Sequence, residues 1–308
     1  MILPFLDGFL TFSRAPVTWI LMLLNVFLFS QNSQLSRDLQ SQMDHWYEDE
    51  FFLQTQGRLY KQFLGERQLA QVSDFDILGR LAFRDPQFLS QAKSYPWHGD
   101  PVAITLWQEG LADFLVLRSY MPSLLLGLSE ESRDGFSFIS YQFYHEGFFH
   151  LFGNLALLLL VGGYLERRVS GLLVFTVYLC GGVVAAFFYS WWQGLSGAPL
   201  VGASGSVCAL LGFLAAMEFR QKTKLLYVIL PMKPYMGFAV FPTIYWIVWL
   251  LMLEDVAGVW SQSSLFGSGV AHWVHLYGFL IGALCAVFWR VLVDLRILPP
   301  ASSLEPAN

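Results

Sequence analysis

The sequence predicts an all-α, polytopic membrane protein that carries one large water-exposed insert. Three observations lead there. Hydrophobic residues make up 55% of the 308 positions and aromatics 17%, while only 13% are charged; a soluble domain has roughly 25% charged residues. Mean hydropathy is +0.49, and the apolar residues gather into runs near the ~20 residues that cross a bilayer. The charges are unevenly placed, with 15 of the 23 acids and 9 of the 18 bases in residues 32–134. A formal net charge of −5 gives no bulk basic signal, so no nucleic-acid partner is expected. Cys180, Cys208 and Cys285 all lie in apolar runs, which speaks against a disulfide framework or a zinc site. No metal and no cofactor are expected.

Residues 1–31 supply an N-terminal segment and a first span at about 15–31, with Trp19 near its start. Met1 to Arg14 carries an acid before its only base, and the apolar run that follows lacks a small-residue cleavage site. No cleavable signal peptide is therefore expected. Residues 32–134 read as a mostly helical, extracytoplasmic soluble insert. Phe51, Phe52, Leu59, Tyr60, Phe63 and Leu64 recur there near helical spacing. Pro96 and Pro101 bracket a Trp-His-Gly-Asp turn. Leu111 to Leu128 is apolar but broken by Asp113 and Arg118, which suits a core helix of the insert better than a helix lying on a membrane surface.

Five more spans are expected in a core of 135–293, at about 147–165, 171–192, 203–219, 237–253 and 270–293, giving six in all. Residues 294–308 form a tail. Arg167 and Arg168 follow the second span, Arg220, Lys222, Lys224 and Lys233 the fourth, and Arg290 and Arg296 end the sixth. The loops after the third and fifth spans hold no Lys or Arg. By the positive-inside tendency the N- and C-termini are cytoplasmic and the insert lies on the far side.

Ionisable or nucleophilic groups at membrane depth are costly, and so are functional candidates. Ser204 opens the fourth span between Gly202 and Gly205. Glycines there allow close backbone approach, and a helix start offers unpaired N–H groups to a developing oxyanion. A small-residue packing patch is the plainer alternative. His275, Gly278 and Gly282 fall at i, i+3 and i+7 and share a helix face. Gly205, Ala209, Gly212 and Ala216 form a similar stripe. Two such stripes permit close approach, which would bring the imidazole to the hydroxyl as its base. His150 and Asn154, at i and i+4, share another face and suit an oxyanion hole or helix-to-helix hydrogen bonds. His145 begins the same stretch and supports local structure. No acid lies deep in a span: Glu254 and Asp255 close the fifth, and Glu166 ends the second beside Arg167. The pattern is thus a Ser–His dyad. His272 is a rival base nearer the aqueous end, but the glycine pattern runs from His275.

Two other chemistries fit less well. His145-Glu146 with His150 comes close to a His-Glu-x2-His metal motif, but i and i+5 stand about 140° apart on a helix. A transporter would want charged or broken helices at midplane, and the strong break here, Pro231-Met232-Lys233-Pro234, falls in a cytoplasmic loop.

The ordered set His145-x4-His150-x3-Asn154, Gly162 to Arg168, Gly202-Ala203-Ser204-Gly205 and Ala271/His275-x2-Gly278-x3-Gly282 resembles the rhomboid family of intramembrane serine proteases, over about 135–293. The resemblance implies a six-helix bundle with an active site sunk below the membrane surface, and cleavage of transmembrane protein substrates near their membrane boundary. It implies Ser204 as nucleophile, His275 as general base, His150 and Asn154 as oxyanion donors, and Glu166 and Arg167 as structural residues. The expected setting is the lipid bilayer of a bacterial inner (cytoplasmic) membrane, with the 32–134 insert as a docking site for substrate or partner. Many members carry Trp-Arg where this chain has Phe136-Ser137-Phe138, and an aromatic where it has Cys208. The insert is far longer than the usual loop. A rhomboid-like pseudoprotease, acting as a binding or quality-control factor, is the alternative; such members lack the serine or the histidine, and this chain has both.

Overall fold

The computed structural model describes residues 2–5, 14–65, 72–195, 198–229, 235–243, 245, 247 and 272–301. They form two compact units, one of 1–29, 138–194 and 201–308, the other of 30–137 and 195–200.

The second unit takes the C-terminal part of α1 (Pro16–Glu48), then α2 (Glu50–Leu64), α3 (Phe75–Ala82), α4 (Pro86–Gln91), α5 (Pro101–Ser119) and α6 (Pro122–Leu126). Its acids have local work to do. Asp49, Asp74, Asp85 and Asp100 each sit at a helix N-cap and accept backbone N–H groups of the first turn, satisfying donors that the helix leaves unpaired. Proline opens α4 and α5, where its missing N–H costs nothing. The core is built on Trp107, Phe88, Phe114, Leu53 and Leu78, all buried. Trp107 Nε1 donates to Gln56 Oε1 at 3.1 Å, and Gln56 Nε2 to the Gly79 carbonyl at 2.8 Å. Leu128 and Leu200 pair through backbone bonds of 3.0 and 2.8 Å, tying residues 195–200 to this unit.

The first unit holds α7 (Ser137–Ser140) and a 3-10 turn (Tyr141–Phe143), then α8 (Phe148–Leu157), a π turn (Leu158–Gly162) and α9 (Gly163–Arg168). Helices α10 (Gly171–Trp192), α11 (Ser204–Met217) and α12 (His272–Asp294) complete its helical part. Among the described residues, three stretches are long and apolar enough to cross a membrane: Phe148–Arg168, Gly171–Trp192 and His272–Asp294. Helix α11 is shorter, apolar on all sides and buried along nearly its whole length, as a central helix must be.

Glycine sets how closely α11 is held. A Cβ at Gly282 would lie 1.8 Å from the Ala209 carbonyl oxygen, and one at Gly278 2.2 Å from that of Gly205. On the other helix, a Cβ at Gly212 would lie 1.9 Å from the Phe279 carbonyl oxygen. Side chains at any of these would drive α11 and α12 apart.

The π turn changes which residues share a face. Twelve residues separate Asn154 from Glu166, about 120° out of phase in an unbroken α-helix; one extra residue absorbed in a π turn brings them within about 20°. Both are buried. Glu166 accepts from Val17 N at 2.9 Å, Thr18 N at 2.8 Å and Thr18 Oγ1 at 2.8 Å, so its carboxylate caps the start of α1.

The fold is mostly helical, but not all-α. β1 (Ile2–Phe5), β2 (Lys222–Ile229) and β3 (Tyr235–Pro242) form an antiparallel sheet in the order β1-β2-β3, with Ile2 opposite Tyr227 and Ile229 opposite Tyr235. The expected fifth span at 237–253 therefore starts in a strand. A short apolar run rich in aromatic and β-branched residues does not distinguish strand from helix by periodicity. Beyond Ile247 that span lies outside the described residues, as do Pro231-Met232-Lys233-Pro234, Glu254, Asp255 and Ala271.

Gly282→Ala is expected to lower stability by about 1–3 kcal/mol through overpacking. Gly153→Ala, where an added Cβ meets nothing within 4 Å, is expected to be tolerated. Thermal unfolding of both variants in detergent checks the contrast.

Candidate active site

Ser204 is the first residue of α11 and His275 lies in the first turn of α12. His275 Nε2 and Ser204 Oγ are 2.7 Å apart, a normal hydrogen-bond length. The glycine contacts of α11 with α12 lie directly beyond this pair, at Gly205–Gly278 and Ala209–Gly282. His272 is buried, its ring centroid 6.2 Å from that of His275 and perpendicular to it.

The loop before α11 turns on Gly202, whose φ of +109° is a conformation that favours glycine. Its N–H donates to the Tyr141 carbonyl at 2.8 Å. A Cβ on it would lie 2.6 Å from His150 Nε2, so the His150 imidazole rests on bare backbone two residues before the serine. Gly205 is similarly enclosed: a Cβ there would stand 3.3 Å from the Tyr141 hydroxyl and 3.4 Å from Val274 Cγ2.

His145 precedes α8, outside the apolar spans, and is buried. Its Nε2 accepts from Ala203 N at 3.4 Å, and its ring centroid is 5.0 Å from that of His150. Burial, and then the neighbouring His150, hold its pKa far below the usual imidazole range, at about 3. A neutral ring can accept this N–H; an imidazolium could not. Asn154 is buried and its Nδ2 donates to the His150 carbonyl at 2.9 Å. An amide nitrogen carries two hydrogens, so one remains after that bond.

Glu166 sits at the far end of the same helical stretch and holds α1 rather than the dyad. Arg167 is half-buried beside it. The next residue, Arg168, forms an ion pair with Glu218 at 2.9 Å, and the Tyr164 hydroxyl donates to the same carboxylate oxygen at 3.2 Å. Cys208, one turn after the serine, is buried. Among the described residues, no group of three or more His, Cys, Asp or Glu side chains could hold a metal ion.

Sequence reasoning passes over three residues near this site, Tyr141, Gln142 and Ser206. A lone amide within the aromatic run Phe138 to Tyr144 is the signal that could have found Gln142.

A family model described as a Rhomboid domain matches residues 132–291, just over half of the chain. The chain belongs to the rhomboid family. Its relatives include Rhomboid-related protein 2 of Mus musculus, 36% identical over 121 residues that cover 36% of this chain and 39% of that protein. Rhomboid protease GlpG of Yersinia pestis is 33% identical over 154 residues, covering 49% of this chain and 46% of that protein. The Serratia proteamaculans protein of the same name is 34% identical over 152 residues, with the same coverage. The matched stretch is thus less than half the length of each of these relatives. Members of the rhomboid family are integral membrane proteins, in keeping with the apolar helices here.

Gly202→Ala would strain the backbone and press on His150. It is expected to lower stability by about 1–3 kcal/mol, the cost of a non-glycine residue held in that backbone region. Thermal unfolding in detergent measures the loss.

Proposed function

We propose that this chain is an intramembrane serine endopeptidase that cleaves transmembrane protein substrates near their membrane boundary. The observation that carries this reading is the 2.7 Å contact of His275 Nε2 with Ser204 Oγ, joined by a glycine-lined helix pair in a rhomboid-family chain.

In this reading Ser204 Oγ attacks the scissile carbonyl carbon while its proton passes to His275 Nε2. The carbonyl π pair moves to oxygen. That oxyanion is met by the Ser204 N–H in the first turn of α11, by the second Asn154 amide hydrogen and by His150. Collapse breaks the C–N bond, and His275 returns the proton to the leaving amine. Water then attacks the acyl ester, gives its proton to His275, and the Ser204 hydroxyl is restored as the carboxylic acid leaves. A substrate helix must surrender its own backbone hydrogen bonds before Ser204 can reach a carbonyl, so small or helix-destabilising residues at the cleavage site favour the reaction.

The same reading assigns six spans to the chain, the first at about 15–31 and the other five in the core, and sets both termini in the cytoplasm of a bacterial inner membrane. The 32–134 insert falls almost wholly outside the matched segment 132–291 and serves as a docking module. Deleting residues 40–125 should change the relative rates for different transmembrane substrates; identical rates for all of them would leave the insert as a spacer.

Ser204→Ala and His275→Ala should each abolish cleavage of a tagged transmembrane reporter, and His272→Ala should retain it. Wild-type rates in either of the first two variants would end the dyad reading.

A further inference from the structure

The short run 141–145 grips the chain on both sides of Ser204. The Tyr141 carbonyl accepts from Gly202 N at 2.8 Å, and His145 Nε2 from Ala203 N at 3.4 Å. Both contacts hold the loop before α11. One contact from this run reaches into α11 itself by a side-chain pair: Ser206 Oγ donates to Gln142 Oε1 at 2.7 Å. Gln142 and Ser206 are both fully buried, at 0% exposure.

Gln142 is anchored from behind. Its Nε2 donates to the Phe138 carbonyl at 3.1 Å and to the Leu179 carbonyl of α10 at 3.4 Å. Next to it the Tyr141 hydroxyl donates to the Gly182 carbonyl at 2.7 Å. Gly182 makes the space: a Cβ there would lie 2.1 Å from Ser206 Oγ and 2.6 Å from Gln142 Oε1. The polar pair thus fastens the first turn of α11 to α10 and to the loop before α8.

Such fastening has a physical purpose on this helix. The contact of α11 with α12 at this level is close and apolar, with Gly205 against the Gly278 backbone and the Val274 side chain. Such a contact allows close approach but has no direction of its own. A buried hydrogen bond is directional, and costly to break where no water can replace it.

We propose that Gln142 and Ser206 are positioning residues, which hold the first turn of α11 so that Ser204 Oγ stays within reach of His275 Nε2. This rests on the dyad reading above. Neither residue touches the reacting atoms; both act through the placement of Ser204.

The test uses the full chain in detergent, as wild type, Ser206→Ala, Gln142→Leu and the double variant. Three quantities are read: kcat and KM on a transmembrane reporter, the rate of Ser204 labelling by a fluorophosphonate, and the melting temperature. Each single variant should lower kcat and the labelling rate by about 10- to 100-fold, leave KM unchanged, and lower the melting temperature by stranding a buried polar group. The double variant, with both polar partners replaced, should regain melting temperature but not kcat. Wild-type kcat and labelling in the single variants would overturn the proposal. So would recovery of kcat together with melting temperature in the double variant, the mark of a purely structural role. If a single variant does not fold, the double variant carries the test by the same criterion. Failure of the dyad reading is seen separately, as wild-type cleavage by Ser204→Ala or His275→Ala.

Discussion

Backbone meets backbone where α11 crosses α12, and the rest of the site depends on that contact. Without Cβ atoms at Gly278 and Gly282, the carbonyls of Gly205 and Ala209 come to within about a bond length and a half of where those atoms would be. Side chains at these positions would push the helices apart and shift Ser204 against His275; without them the 2.7 Å contact of the two residues is held. The loop ahead of Ser204 obeys the same economy of side chains, since Gly202 lets His150 lie against its backbone.

A second set of constraints lies in the buried polar groups around this contact. A carboxylate at low dielectric is costly unless its lone pairs are filled, and Glu166 meets three donors from the start of α1. Glu218 meets Arg168 and the Tyr164 hydroxyl. Asn25 gives one amide hydrogen to its own helix at Leu21, 2.8 Å away, and lies 3.5 Å from the Tyr178 hydroxyl. Each group ties one apolar helix to another by a bond with a direction. In a bilayer, where apolar surfaces gain little from meeting each other, such bonds and close packing are what select one arrangement.

The helix-borne parts of this site are legible in the sequence because their spacings have only one meaning. Glycines at i+3 and i+7 from a histidine lie on its face in any α-helix, and the structure presents those three positions to α11. The charge discontinuity at residues 32–134 is likewise visible in composition alone, and the N-cap aspartates explain part of it. The sheet is not legible: Lys222–Ile229 reads as loop through Lys222 and Lys224, and Tyr235–Pro242 is an apolar run too short for a period to declare itself. The π turn is hidden for a different reason: glycines such as Gly162 and Gly163 are common in apolar helices and do not mark an extra residue. The Gln142–Ser206 bond joins residues 64 positions apart, and no local pattern encodes such a pairing. At the end of α9 it is Arg168 that pairs with Glu218, a partner 50 positions away that no local pattern encodes.

The central claim is that the α11–α12 contact makes Ser204 an activated nucleophile. The most direct measurement is to treat the folded protein in detergent with a fluorophosphonate and locate the adduct by peptide mass spectrometry. The account predicts a single adduct on Ser204 that disappears when His275 is replaced. An intact, folded protein that takes up no adduct, or takes it up elsewhere or independently of His275, would contradict it.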